Sequence, residues 1–114
     1  MKPKERPLGT RAAFLLPSLK LKDTAESGSP VEQKVHNFLM DNFDGYTAAT
    51  GNLFGYWKDD KGEPSYGEHR LFTVALVEEA KLDTLKQFLS ETARQMKEEC
   101  IYLETGGSVT LIYA

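Results

Sequence analysis

The sequence predicts an α+β fold of the ferredoxin-like kind. This is a βαββαβ sandwich with an extra C-terminal strand, its antiparallel sheet carrying two helices on one face. Three observations predict it. Two stretches with helical apolar spacing, starting near Val31 and Ala80, alternate with strand-like runs. The order along the chain is strand, helix, strand, strand, helix, strand, strand, which is the split βαβ arrangement with one strand added. The chain also ends in a hairpin marked by Gly106-Gly107. At 114 residues it fits one domain, expected over 10–114 with residues 1–9 as a flexible basic arm.

Thr10 to Leu16 reads as a strand ended by Pro17, which cannot donate to a ladder. Leu19 and Leu21 alternate with lysines and extend it after a kink. A polar small-residue loop covers 23–28. Ser29-Pro30-Val31-Glu32 then predicts a helix start, with serine as N-cap, proline at the first helical position and glutamate at the third. Val31, Val35, Phe38 and Leu39 make its apolar stripe, and Asp44-Gly45 ends it. His36 falls beside the stripe, as a half-exposed helix histidine.

Tyr46 to Trp57 is aromatic and β-branched, interrupted by Gly51 and Gly55. The turn-rich segment from Lys58 to Gly67 leads into a strand over His69–Val77. A second helix is predicted from about Ala80 to Glu98, with Leu82, Leu85, Leu89, Ala93 and Met96 on one face. Its acidic start, Glu78-Glu79, suits the positive end of the helix dipole. In the final hairpin the turn pairs Thr105 with Ser108, Leu103 with Thr110 and Ile101 with Ile112.

A sheet covered on one face should alternate apolar and polar residues. Here Phe72, Val74 and Leu76 form one apolar face, while Leu71, Ala75 and Val77 form another. The terminal hairpin is likewise apolar on both sides. The open sheet face is therefore expected to be buried against a second copy, giving a homodimer or higher oligomer.

Composition excludes several classes. No run approaches the roughly 18–20 apolar residues of a membrane span. The apolar run Ala12–Leu16 is shorter than the ~7–15 residues of a secretory h-region, so the chain reads as cytoplasmic. Its single cysteine, Cys100, excludes an intramolecular disulfide and a thiolate zinc cluster. It opens an apolar run behind Glu98 and Glu99, as a buried structural thiol rather than a nucleophile. Residues 1–22 carry Lys2, Lys4, Arg6, Arg11, Lys20 and Lys22 against Glu5, on a chain whose net charge is −3. With no aromatics interleaved, this arm predicts contact with the acidic body of its own or a neighbouring subunit, not with nucleic acid.

Several stretches resemble a small bacterial family of uncharacterised α+β proteins. They are Phe43-Asp44-Gly45-Tyr46-Thr47, Gly55-Tyr56-Trp57 and, after the second helix, Glu99-Cys100-Ile101-Tyr102-Leu103. The resemblance covers roughly residues 30–105. It implies the fold and no activity. Many members look exported, and this chain departs from them in lacking a signal segment. On topology alone it is also similar to ferredoxin-like regulators and small oligomeric ligand-binding domains.

Functional candidates gather around the 57–69 turn. Tyr46, Trp57, Tyr66, His69 and Arg70 are the candidate ligand-binding residues, and His69 is the candidate catalytic base. Strand alternation forbids Glu68, His69 and Arg70 from converging. The two histidines lack metal-ligand spacing, and no Gly-rich phosphate loop or nucleophile elbow is present. No metal or cofactor is expected. The sequence thus predicts a small oligomeric, non-enzymatic domain that binds a small molecule or a protein partner. The alternatives are a cofactor-independent isomerase or monooxygenase using His69 with a tyrosine, and a purely self-assembling structural protein.

Overall fold

A computed structural model describes residues 2–23 and 28–114. The elements are β1 (Thr10–Pro17), α1 (Val31–Asn42), β2 (Tyr46–Ala48), β3 (Leu53–Lys58), β4 (Pro64–Leu76), α2 (Ala80–Gln95), β5 (Cys100–Thr105) and β6 (Ser108–Tyr113). The six strands form one antiparallel sheet in the order β2-β4-β1-β5-β6, with β3 pairing β4 beyond β2. Most of the loop expected at 23–28 lies outside the described residues.

Residue parity decides what the sheet buries. Ala12, Phe14 and Leu16 of β1, Phe72, Val74 and Leu76 of β4, and Ile101 and Leu103 of β5 share one core. Val31, Val35 and Leu39 of α1 and Leu85, Leu89 and Ala93 of α2 complete it, so both helices cover the same face. Phe14 and Phe72 are register partners whose rings stack at 5.3 Å. Phe38 and Phe88 stack at 3.8 Å and hold α1 to α2. Each fully buried Phe or Leu contributes roughly 1.5–3 kcal/mol.

Five expectations are corrected. The aromatic segment 46–57 is two strands, not one. Ala48 pairs with Phe72 and Leu53 with His69, so four residues (49–52) stand opposite two (70–71). An insertion of two keeps the alternation of faces, and the Ala49 N–H still donates to the Leu71 carbonyl at 2.9 Å. Next, β4 starts at Pro64, and the turn shrinks to the few residues between Lys58 and Pro64. Ser18–Lys20 forms a 3₁₀ turn instead of prolonging β1, leaving Leu19 exposed and Leu21 buried.

Fourth, α1 has no side-chain cap from Ser29; Pro30 holds the N-cap position. Its free N–H groups are satisfied by backbone instead. Val31 donates to the Asp23 carbonyl at 2.9 Å and Glu32 to the Leu21 carbonyl at 2.8 Å. The turn after β1 thus does the work of a cap.

The end of α2 falls at Gln95, short of the expected Glu98. Lys97 adopts φ 57°, the left-handed conformation. Glu98 N–H returns to the Ala93 carbonyl at 2.8 Å and Lys97 N–H to the Arg94 carbonyl at 3.2 Å, a Schellman closure with lysine where glycine is usual. A side chain in this conformation costs about 1–2 kcal/mol, partly offset by the unfolded-state entropy that glycine adds. Lys97→Gly is therefore expected to stabilise the protein by roughly 0.5–1 kcal/mol, read as a raised urea midpoint at unchanged m-value; an unchanged or lowered midpoint would refute the strain.

Candidate functional site

The face turned away from the helices carries the odd-numbered residues of β1 and β4. Leu15 pairs with Leu71, Ala13 with Thr73 and Arg11 with Ala75. On β5 and β6 the same face carries Cys100 opposite Tyr113, Tyr102 opposite Leu111 and Glu104 opposite Val109. Leu15, Leu71, Tyr102 and Leu111 are half-buried, as an apolar centre with solvent above it.

At one end of this face the β3–β4 hairpin outruns β1. Pro17, the last residue of β1, already pairs with His69, so residues 64–68 have β3 alone as a ladder partner. Gly55 and Gly67 are register partners there, and neither places a side chain on the sheet. That space is filled from along the strands. A Cβ on Gly55 would stand 2.7 Å from Cζ3 of Trp57, and one on Gly67 would stand 3.4 Å from Cε1 of His69. The indole and imidazole meet with ring centroids 4.9 Å apart, and the indole reaches Tyr102 of β5 at 5.9 Å. The hairpin end is thereby curled over the sheet towards β5.

His69 is 5% exposed. Its Nδ1 lies 3.0 Å from the Gly67 carbonyl, which can only accept, so Nδ1 carries the proton and Nε2 keeps its lone pair. Burial holds its pKa below the ordinary 6.5, against the Gly67 hydrogen bond and the charge of Glu98. The buried Trp57 Nε1–H has no oxygen or nitrogen acceptor among the described residues and is turned to the Cys100 sulfur. Cys100 is buried and its thiol is pushed up, chiefly by burial, against the contact of Trp57 and with smaller help from Glu99, Asp59 and Glu98, as expected of a structural cysteine. The Tyr102 hydroxyl donates to Glu104 at 3.2 Å; burial, then Glu104, raises its pKa.

Where the hairpin turn meets the residue before β5, carboxylate oxygens of Asp59, Asp60 and Glu99 lie within 4.8 Å of one another. This cluster was not foreseen in the sequence, because Glu99, the residue before β5, lies 39 positions beyond Asp60. Asp59 is already engaged. Its Oδ1 accepts the N–H groups of Lys61 and Glu63, each at 2.9 Å, and its pKa is lowered, the Glu63 bond being the main cause. Glu99 is raised, first by its contact with Asp59.

The structure divides the five candidate ligand-binding residues into separate groups. Trp57 and His69 come together. Tyr46 turns to the helix side, 2.6 Å from Nδ1 of the exposed His36 and 6.3 Å, ring to ring, from Phe72. Tyr66 is exposed on the other face of the hairpin, paired with Tyr56 at 5.3 Å. Arg70 also points to the helix side, where it meets Glu32 at 3.2 Å.

A second place went unrecognised in the sequence. Residues preceding β1 cross the far end of the open face, and Arg6 meets Asp44 at 3.5 Å. A cleft of about 390 Å³ lies beneath, lined by Arg6, Leu8, Arg11, Asp44, Thr47 and Thr73 among others. Arg11 and Thr73 sit at odd positions of β1 and β4, a signal that the apolar reading of this face passed over.

No family model matches the chain, and no curated protein matches it. Two solved structures share its fold. A phage SAM lyase in complex with S-methyl-5'-thioadenosine aligns with a TM-score of 0.62 and 12% identity, over 100% of this chain and 96% of that one. A phage SAM lyase in the apo state aligns at 0.55 and 14%, over 99% and 97%. At such identities the likeness is one of fold.

The buried histidine makes stability depend on pH. Unfolded chain takes up a proton near pH 6.5, whereas folded His69 does so only at lower pH, so the unfolded state binds more protons in between. This contribution is fully present above 6.5 and is lost as pH falls towards the folded value. Wild type is expected to lose more melting temperature between pH 7 and pH 5.5 than His69→Gln does. Equal losses in the two proteins would remove His69 as the cause.

Proposed function

We propose that the protein is an oligomeric enzyme of the lyase type that binds an S-adenosyl sulfonium compound and releases its adenosine thioether. The observation that carries this reading is the whole-length correspondence of fold with a phage SAM lyase holding S-methyl-5'-thioadenosine. Nothing in that alignment is local: both chains are covered almost end to end. We read the topology as the ferredoxin-like order with its second strand broken into β2 and β3 and β6 added at the edge. Fold likeness alone does not carry an activity, so the chemistry has to be met by this chain's own residues.

The chemistry is undemanding of the protein. A sulfonium sulfur leaves as a neutral thioether with the electron pair of the C–S bond that breaks, while an oxygen of the substrate's own carboxylate forms the new bond to the carbon it vacates and closes a lactone. The protein has to hold the substrate in a reactive conformation and exclude competing water. A ligand of this type has an aromatic base, a cationic centre and a zwitterionic amino-acid end. The open face offers aromatic rings and an uncharged imidazole at one end, and guanidinium and carboxylate groups at the other. The tyrosine that shares a face with His69 is Tyr102, whereas Tyr46 and Tyr66 lie on the other face.

The open face also suits association with a second copy. Leu15, Leu71, Tyr102 and Leu111 form the centre of a sheet face with no covering layer in the single chain, and such a patch suits a second copy of this chain.

Purified protein incubated with S-adenosylmethionine is expected to form S-methyl-5'-thioadenosine well above the uncatalysed background, measured by reversed-phase chromatography. The product should also raise the melting temperature, since a ligand of the native state must. A shift without turnover would leave a binding module in place of an enzyme, and neither would overturn the reading. In light scattering the native protein should give a multiple of 12.8 kDa, and Leu71→Arg should move it towards the monomer. A wild-type monomer would end the association.

A further inference from the structure

Resting on that reading, we infer that the cleft beneath the N-terminal arm binds the amino-acid end of the substrate, with Arg11 holding its carboxylate and Asp44 its ammonium. The cleft stands on the open sheet face, at the end away from Trp57 and His69. Its volume of about 390 Å³ lies near the lower end of the 300–1,000 Å³ usual for small-molecule sites.

The floor is built by strand register. Thr47 of β2 and Thr73 of β4 are partners, and Arg11 of β1 is the partner of Ala75. All four belong to the open face. The small Ala75 leaves room beside the guanidinium, and the two threonines bring hydroxyl groups that can donate or accept. Leu8 and Val77, both exposed, give the cleft an apolar wall suited to a methylene chain.

Arg11 has no ion-pair partner among the described residues. A free guanidinium in a concave site is matched to a carboxylate, which it can hold through two parallel hydrogen bonds. Arg6 and Asp44 form the roof, and their side chains are 73% and 63% exposed. An ion pair so open to water is weak, so Asp44 can exchange Arg6 for a ligand ammonium at little cost. One cation free for a carboxylate and one carboxylate available to an ammonium are what an α-amino acid group needs.

The approach of the arm is fixed at Gly9. It has φ 99°, and a Cβ there would fall 2.0 Å from the Leu76 carbonyl oxygen. The chain can therefore lie against the end of β4 only because this residue has no side chain. That contact places Leu8 and Arg6 over the cleft instead of out in solvent.

Two adenosine ligands separate the possibilities, measured by isothermal titration with the full chain. S-adenosylhomocysteine carries the amino-acid end, and S-methyl-5'-thioadenosine lacks it. Wild type should bind the first more tightly. Arg11→Gln should weaken S-adenosylhomocysteine about tenfold or more, the scale of a lost charge-assisted contact, and leave S-methyl-5'-thioadenosine within about twofold. Asp44→Asn should weaken the same ligand selectively and less. If Arg11→Gln, with a wild-type melting curve, weakens both ligands equally or neither, this assignment falls while the reading of function stands. If wild type binds neither ligand, both fall.

Discussion

Most of what distinguishes this molecule follows from one inequality of length: β4 has thirteen residues and its neighbour β1 has eight. Where the two overlap, β4 is an interior strand, paired on both sides and buried on its helix-facing side. Beyond Pro17 it keeps only β3, and the two strands form a ribbon free to twist more strongly than a wide sheet. The Gly55–Gly67 pair lies in that ribbon. With no side chain on either residue, Trp57 and His69 can lean over the gap, their rings tilted 50° to each other, and Trp57 reaches towards Tyr102. The overhang thus turns a flat sheet end into a rimmed one.

The same parity that builds the core explains which parts of the molecule were legible in the sequence. Gly106-Gly107 fixed a two-residue turn, and the predicted partners Thr105–Ser108, Leu103–Thr110 and Ile101–Ile112 are the observed ones. Both glycines have positive φ, as that turn demands. The helical stripes of α1 and α2 were readable because their apolar residues meet a single core. What was not readable depends on backbone carbonyls. The α1 terminus is satisfied by Leu21 and Asp23 through main-chain oxygen atoms, which any residue could supply. The break between β2 and β3 costs no change of face, so hydropathy carries no trace of it.

The site was legible in part, for the same reason. His69 and Trp57 are both at odd positions of paired strands, and alternation alone puts them on one face. Arg70 and Tyr66 are at even positions, so nearness in sequence to His69 did not bring them to it. Tyr46 pairs with Val74 and goes with it to the helix side. Arg11 and Thr73 share the parity of Leu71 and Ala75, but the reading of that face rested on its apolar members.

The open face is therefore not uniform, and its order has a consequence for how binding and association combine. Rings and a neutral imidazole occupy one end; Leu15, Leu71, Tyr102 and Leu111 occupy the centre; Arg11, the threonines and the Arg6–Asp44 pair occupy the other end. Under the proposed association the apolar centre is what a second copy covers, because it gains most from leaving water. The polar ends lose hydration on burial and gain only where a partner group answers them. Packing centred on Leu71 leaves both ends at the margin of the contact, where water and a small ligand can still enter. A ligand seated at either margin would touch one copy directly and sit against the edge of the next. Under the proposed association, a ligand that bridges a margin of one copy and the edge of the next would make binding and assembly favour one another.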